Sequence, residues 1–394
     1  MRRSGKMREP ALPAADRTVD LTGRLVRSIA LCGTAYAIGF QHGRAIAGTL
    51  RSFLSDGFAH INKFRSVPLS RIEIADAVRQ HARIIEEDQP DIAEELRGLA
   101  AGAGVSYEQA VLLQIRRELI HDGPSGCSEC TSLAAMQPET GAILGQTIDL
   151  YPGMTDLGYV LTVEPDGAPS YVTYTFAGLL GYVGLNAAGL AICINFVQSN
   201  DWQPGLSPYL LVRHLLRFDG IDPCIAELKR IRRSSSRCLT VADRRRIVAI
   251  EMTARDLRVI EGEKLFHTNH YVHEDFVPCD RMNVFSRNAS KLRLARVQEI
   301  VNERTHPWDP DAIFDVLSDH SLAPIGLCAH GAGDPRREET VASVVMQPRA
   351  GGLHARKGRT CERVTRSFVL RREDLGRAPS TGNRHRCENR GESA

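Results

Sequence analysis

The stretch 126–150, GCSECTSLAAMQPETGAILGQTIDL, constrains the fold more than any other part of the chain. Two short apolar runs, 131–137 and 142–148, flank Pro138, Glu139, Thr140 and Gly141. Two strand-like runs joined by a Pro/Gly turn make a β-hairpin. Its first strand begins at Cys130 and its second ends at Asp149, so the hairpin returns a carboxylate to the sheet end that carries the thiol. Such a pair suits a thiol nucleophile whose own backbone amine is the base and is held by an acid. That chemistry requires Cys130 to become a chain terminus.

The 394 residues can bury one large core or two modest ones. A net charge of +3 is small for this length, and Arg is spread along the chain, which argues for a solvated surface rather than a nucleic-acid or membrane partner. The basic N-terminus has no apolar run behind it, so it does not read as a signal peptide. No stretch reaches the apolar length of a membrane span, and the expected location is cytoplasmic. The ten cysteines are scattered and read mostly as small buried hydrophobes rather than a disulfide framework. Only Cys127 and Cys130 form a C-x-x-C pair, and no second pair completes a zinc site. His267, His270 and His273 lack an accompanying acidic cluster, so no metal is expected there either.

Residues 1–20 read as a disordered leader and 374–394 as a disordered basic tail. Helical patterns run from about 43 to 61, over 71–87 and 91–101, and from a Ser106 cap through 119, so 21–129 is expected to be mainly helical. Residues 121–126, His-Asp-Gly-Pro-Ser-Gly, form a loop of breakers that would leave the Glu129–Cys130 bond exposed. From Cys130 strands dominate: the hairpin, then 157–164, 170–176 and two short strands around Asn186-Ala187-Ala188-Gly189. Helices follow at 207–218 and 222–232, with strands at 238–241, 247–252 and 257–261. Further helices at 288–302 and 309–320 precede final strands at 341–346 and 367–370. This order predicts a layered α+β fold with a largely antiparallel sheet.

Several motifs in one order resemble the isopenicillin N acyltransferase-like family, whose members are N-terminal nucleophile hydrolases with a Cys nucleophile. They are Tyr36 to Gly43 (YAIGFQHG), Glu95 to Gly104 (ELRGLAAGAG), Cys-Thr-Ser at 130–132, and Gln146-Thr147-Ile148-Asp149. GLNAAGL at 184–190, His267-Thr268-Asn269-His270 and TVASVVM at 340–346 complete the set. The resemblance implies a four-layer αββα sandwich, with 130–373 as its catalytic core and 21–129 as a helical pro-segment that becomes a small subunit. It also implies a precursor that cuts itself between Glu129 and Cys130, the two fragments staying together. The mature chain would hydrolyse or transfer the acyl group of a linear amide or acyl thioester. No cofactor is expected, with acyl-CoA a candidate co-substrate.

The resemblance also distributes roles. Cys130 is the nucleophile, with Cys127, which follows a Gly, as the alternative that would lose the spacing to Asp149. Asp149 orients the new amine. Asn269 corresponds to the Asn that family members place on the oxyanion, and Asn195 to an oxyanion-hole Asn of bile acid and penicillin V hydrolases. Arg337 matches the active-site Arg by position, with Arg336 beside it. Gln146 and Thr147 are candidate substrate contacts; Thr147 stands where the family usually has Asn, and Gly358-Arg359-Thr360 replaces its Gly-x-Pro. A thiol is a poor nucleophile until deprotonated. An α-amine, with a reference pKa of about 7.7–8.0, can take that proton near neutrality. Two other readings remain open: a single-chain thiol enzyme pairing Cys130 with a histidine such as His270, and an uncleaved, silent member that binds a ligand or partner.

Overall fold

A computed structural model describes residues 23, 25–120, 130–331, 333–334 and 337–371. The leader at 1–20, the Glu129 side of the cleavage bond, Cys127, Arg336 and the tail at 374–394 lie outside them.

Two sheets face each other between two helical layers. The eight-stranded sheet has the order β1 (Arg27–Gly33), β4 (Gly158–Pro165), β5 (Tyr171–Phe176), β6 (Val183–Asn186), β7 (Ala191–Phe196), β8 (Arg237–Ala242), β9 (Ile247–Met252) and β10 (Leu257–Gly262). The six-stranded sheet has the order β11 (Lys264–His267), β2 (Cys130–Gln137), β3 (Gly141–Leu150), β12 (Glu339–Gln347), β13 (Gly352–Lys357) and β14 (Thr365–Val369). Among the strands of the described residues only β1 and β4 pair in parallel. The expected α+β sandwich is therefore present. The hairpin is as read: β2 starts at Cys130, which pairs with Ile148, and β3 runs one residue past Asp149.

Alternation along β2 and β3 decides which layer each side chain meets. Ala134, Leu144 and Ile148 join the main core between the sheets, while Leu133, Ala135 and Ile143 join a second core. That second core is capped by α7 (Val284–Glu303) and α8 (Pro310–Leu317). Gly145 faces α8 so closely that an added Cβ would lie 2.2 Å from Ile313 Cγ2. Between the sheets, Gln146 donates to Ile194 O (2.5 Å) and accepts from Ile194 N–H (2.9 Å), joining β3 to β7.

The other helical layer comes mostly from the segment before Cys130. It comprises α1 (Ala35–Phe53), α2 (Arg71–Asp88), α3 (Pro90–Ala103) and α4 (Tyr107–Ile120), with α5 (Pro208–Leu215) and α6 (Ile221–Arg230) from after it. Ser70 and Glu73 form a capping box at the start of α2, and Ser106 and Gln109 form a similar pair before α4. Helix α1 starts eight residues earlier than the apolar pattern predicts. Gly39 and Gly43 on α1 meet Gly98 and Gly102 on α3, where a Cβ at Gly39 would sit 1.9 Å from Glu95 O and one at Gly98 2.1 Å from Tyr36 O. Each helical Gly costs roughly 1 kcal/mol relative to Ala, and here backbone-to-backbone approach is what that cost permits.

The segment before Cys130 is not a separate body. It supplies β1, and buried bonds stitch it to the rest: His42 Nε2 to Tyr159 O–H (2.7 Å), Gln114 to Gly178 O (3.0 Å), and the Glu95–Arg213 ion pair (2.8 Å). No helix of the described residues is long and apolar enough to cross a membrane. Seven described cysteines are free thiols, and Cys32 is disulfide-bonded.

Candidate active site

Cys130, the first residue of β2, is 1 % exposed. Its backbone N–H donates to Asn269 Oδ1 (2.8 Å), and its carbonyl accepts from Asn195 Nδ2 (3.2 Å) and Arg293 Nη1 (2.9 Å). Both of its backbone polar groups are thus held by side chains, as buried polar groups must be. The thiol lies beside Asp149: burial first, and then the Asp149 carboxylate, push it up to about 12, against a hydrogen bond from the Asp149 backbone and the charge of Arg293.

The orientation of Asn269 follows from its partners. Oδ1 receives two donors, Cys130 N–H and Arg293 Nη2 (2.8 Å), so it must be the oxygen. Its Nδ2 then donates to Phe196 O (3.0 Å). Asn195, on β7, is fixed in the same way: Ser132 Oγ donates to its Oδ1 (2.6 Å), which turns Nδ2 toward Cys130 O and His267 O (3.3 Å). Asp149 is fully buried and accepts from Thr340 Oγ1 across the β3–β12 pair at 2.6 Å. Thr340 in turn accepts from Ala329 N–H (2.8 Å).

Arg293, which the sequence reading did not single out, completes the group. It is the largest fully buried side chain among the described residues and reaches in from α7. Besides its bonds to Cys130 and Asn269 it donates to Thr131 Oγ1 (3.0 Å). One turn earlier on the same helix, Ser290 Oγ accepts from Asn269 N–H (2.7 Å). One face of α7 therefore holds both the backbone and the side chain of Asn269.

The remaining expected site residues fall into two groups. Gln146 and Thr147 are fully buried and engaged, Gln146 on Ile194 and Thr147 Oγ1 on the Thr131 N–H (3.1 Å). Arg337 is exposed in the loop before β12, and its guanidinium makes no hydrogen bond to Cys130, Asp149 or Asn269 among the described residues. The three histidines of 267–273 do not converge. His267 Nε2 pairs with Glu251 (2.8 Å), His270 Nδ1 bonds Ser290 Oγ (2.8 Å), and His273 lies 4.0 Å from Asp275. No described bond links a histidine to Cys130.

Leu150, the residue after Asp149, lines a cleft together with Phe53, Tyr182, Tyr209, Arg117 and Glu338, among others. Its wall is mainly aromatic and aliphatic. Tyr182 is close enough to Cys130 for the thiol to raise its pKa, although burial is the larger cause. A buried thiol with fixed backbone and a neighbouring carboxylate, with an apolar cleft lined from Leu150 and Tyr182 onward, can support acyl chemistry.

Residues 136–360 match the family described as acyl-coenzyme A:6-aminopenicillanic acid acyl-transferase. That span starts just after Cys130 and includes Asp149, Asn195, Asn269, Arg293 and Arg337. The chain is also similar to the acyl-coenzyme A:6-aminopenicillanic-acid-acyltransferase 40 kDa form of Emericella nidulans, 23% identical over 323 residues that cover 80% of this chain and 87% of that one. Among solved structures it is similar to penicillin V acylase from Agrobacterium tumefaciens (13% identity, TM-score 0.41, covering 57% of this chain and 82% of that one). A variant of conjugated bile acid hydrolase from Clostridium perfringens gives 12% identity and a TM-score of 0.45, covering 63% and 94%.

Proposed function

The chain belongs to the acyl-coenzyme A:6-aminopenicillanic acid acyl-transferase family, and from that premise we propose that it is a self-processing cysteine enzyme. It cleaves or transfers the acyl group of a linear amide or acyl thioester through a thioester on Cys130. The observation that carries this reading is the way Cys130 is held: its nitrogen on Asn269, its carbonyl on Asn195 and Arg293, its thiol beside Asp149.

In the first step Cys130 Sγ attacks the Glu129 carbonyl carbon. The C–S bond forms, the Glu129–Cys130 C–N bond breaks, and the thiol proton passes by way of the Asp149 carboxylate to the freed nitrogen. Water then cleaves the thioester, leaving a Glu129 carboxylate and a Cys130 with both thiol and α-amine free. The need for a base is plain, because a thiol pushed up to about 12 is protonated at neutral pH. The α-amine, held by Asn269 Oδ1, supplies it. The thiolate attacks the substrate acyl carbon, the departing amine or thiol leaves with the proton, and an acceptor amine or water releases the acyl group.

Arg293 is a positioning residue here, fixing Cys130 O and Asn269 together. An oxyanion role for Asn269 asks its Nδ2 to exchange Phe196 O for substrate, and the same holds for Asn195 and Cys130 O. Oxyanion donors are worth about 10²–10³ in kcat each. The cavity beyond Asp149 would take the acyl group, favouring an apolar or aromatic one, and an acyl-CoA is a candidate donor. The Glu95–Arg213 pair and the bonds of His42 and Gln114 support fragments 21–129 and 130–373 remaining together after the cut.

Denaturing mass spectrometry of the wild type beside Cys130→Ala tests this reading. Two wild-type fragments meeting between Glu129 and Cys130, with an intact variant, are expected. An intact wild type would sink the self-processing claim.

A further inference from the structure

Four side chains outside the Cys130 site converge on one point. His320 follows α8, Cys328 and His330 lie in the loop before β12, and Cys361 sits in the short turn after β13. Their ring nitrogens and sulfurs all lie within 4.8 Å of one another. His330 Nε2 is 3.7 Å from Cys328 Sγ, 3.6 Å from Cys361 Sγ and 2.8 Å from His320 Nε2. Tetrahedral zinc, with Zn–S of about 2.3 Å and Zn–N of about 2.0–2.1 Å, sets its ligand atoms about 3.3–3.8 Å apart along each edge. Both sulfur–nitrogen distances at His330 fall in that range, the remaining edges lie within 4.8 Å, and the two imidazoles need to part by about half an ångström.

We propose that His320, Cys328, His330 and Cys361 bind one zinc ion as a structural Cys2His2 site. The donor set suits zinc, since two thiolates balance its charge and two neutral imidazoles complete the tetrahedron. Binding releases the two thiol protons to solvent. Cys328 is buried, whereas His320 and His330 are exposed, so the ion has a way in from one side. Four protein ligands leave no position for a substrate, which makes the role structural.

What the ion would stabilise is visible in the neighbouring bonds. Ala329, between the two central ligands, donates to Thr340 Oγ1 (2.8 Å) and accepts from Thr340 N–H (3.0 Å). Thr340 then donates to Asp149 (2.6 Å). The metal would thus fix, through Ala329 and Thr340, the carboxylate that faces the Cys130 thiol.

The test uses the full chain, purified under reducing conditions without a metal-binding tag. Elemental analysis by mass spectrometry should find close to one zinc per wild-type chain, falling at least fivefold in His320→Ala and in Cys361→Ser. These two variants spare the buried Cys328. Cobalt added to the chelator-stripped wild type should give the ligand-field and sulfur-to-cobalt charge-transfer bands of a tetrahedral thiolate site, and the variants should lose them. A wild type that neither retains zinc nor yields that cobalt spectrum overturns the proposal. So does equal zinc in wild type and variants, or a Cys328–Cys361 disulfide found by peptide mapping of chain kept in thiol reductant.

Discussion

Cys130 and the Cys328–Cys361 pair are thiols in one sheet-and-helix framework, yet their neighbours differ in kind. Around Cys130 the backbone is held by amides and a guanidinium, and the sulfur faces a carboxylate. Around Cys328 and Cys361 the sulfurs face imidazoles, no carboxylate is among the four converging groups, and Asp149 acts on Cys328 only as a lesser cause behind burial and the Cys361 thiol. A carboxylate disfavours the thiolate and calls for a base that is present only when needed. Imidazoles offer a cation two further ligands. The surroundings, not the cysteine, divide the chemistry, and the Ala329–Thr340–Asp149 hydrogen bonds put the two sites within one bonded network.

The largest effect separates the two sites outright. Cys130→Ala should abolish self-cleavage and turnover while leaving zinc content unchanged, read by intact mass and elemental analysis on one preparation. A Cys130→Ala chain that is still cut would move the nucleophile elsewhere, with Cys127 the first candidate.

Next comes Arg293. Removing it in Arg293→Leu leaves Thr131 Oγ1 without its donor and takes one of two donors from each of Cys130 O and Asn269 Oδ1 in a fully buried place. An unsatisfied buried group costs about 1–3 kcal/mol, so a stability loss of about that size is expected, with self-cleavage slowed by about 10²-fold. Arg293→Lys keeps the charge but not the planar fork. It should recover much of the stability and little of the cleavage rate. Recovery of both together would make Arg293 a packing residue alone.

The third test contrasts imidazoles. His330 lies among sulfurs, while His267 is paired with Glu251 behind the strand that leads to Asn269. Against burial, the Cys238 sulfur and the Glu251 carboxylate hold His267 well above its usual value of 6.5. Against burial, His267 and the Val272 and His273 N–H groups hold Glu251 below 4.5. The histidine's contribution is full below its unfolded value and lost as pH rises through the raised one; the glutamate's is full above its unfolded value and lost as pH falls through the lowered one. The pair should therefore stabilise most between about pH 4.5 and 6.5. Removing one partner of a buried pair costs about 3–5 kcal/mol. In the Cys130→Ala background, Glu251→Gln should lower Tm most inside that window and less toward alkaline pH. A Tm difference independent of pH would show the pair to be neutral.

How much of this was legible in the sequence depends on how local the signal is. The hairpin was, because alternation, a Pro/Gly turn and the Cys130–Asp149 offset all lie within one short stretch. Strand β1 was missed: with only Leu31 fully buried it shows no clear alternation, and it runs almost directly into α1. Strand β11, four residues long, and β13 were missed as well. Arg293 had a signal that went unread. On α7, Ser286, Ser290 and Arg293 occupy core-facing spacing where apolar residues are expected, and polar residues on a buried stripe mark something they must bond. Arg337 shows the converse, since position relative to a motif placed it while burial did not. The four zinc candidates are spaced 320, 328, 330 and 361, and only the folding of α8, β12 and β13 brings them together.

The smallest expected effect concerns a cation beside the cavity. Arg116 and Arg117 are adjacent on α4 and both line it, but they are placed differently. Arg116 donates to Ala59 O (2.5 Å) and stacks on Phe53 and Phe64. Arg117, 9 % exposed, lies over Phe196 at 4.3 Å, and its Nη2 has no hydrogen-bond partner among the described residues. A buried donor without a partner favours a ligand that brings an acceptor, so among apolar or aromatic acyl groups one with a single oxygen near Arg117 should be preferred. Hydrogen bonds to charged groups are worth about 1.5–3 kcal/mol. Arg117→Leu should therefore lower kcat/KM roughly tenfold for an N-acyl amide bearing a carbonyl or ether oxygen in its acyl chain. An all-carbon acyl group of the same length should lose nothing. Equal losses on both would mean that Arg117 serves the fold through Phe196 and does not select the acyl group by its charge.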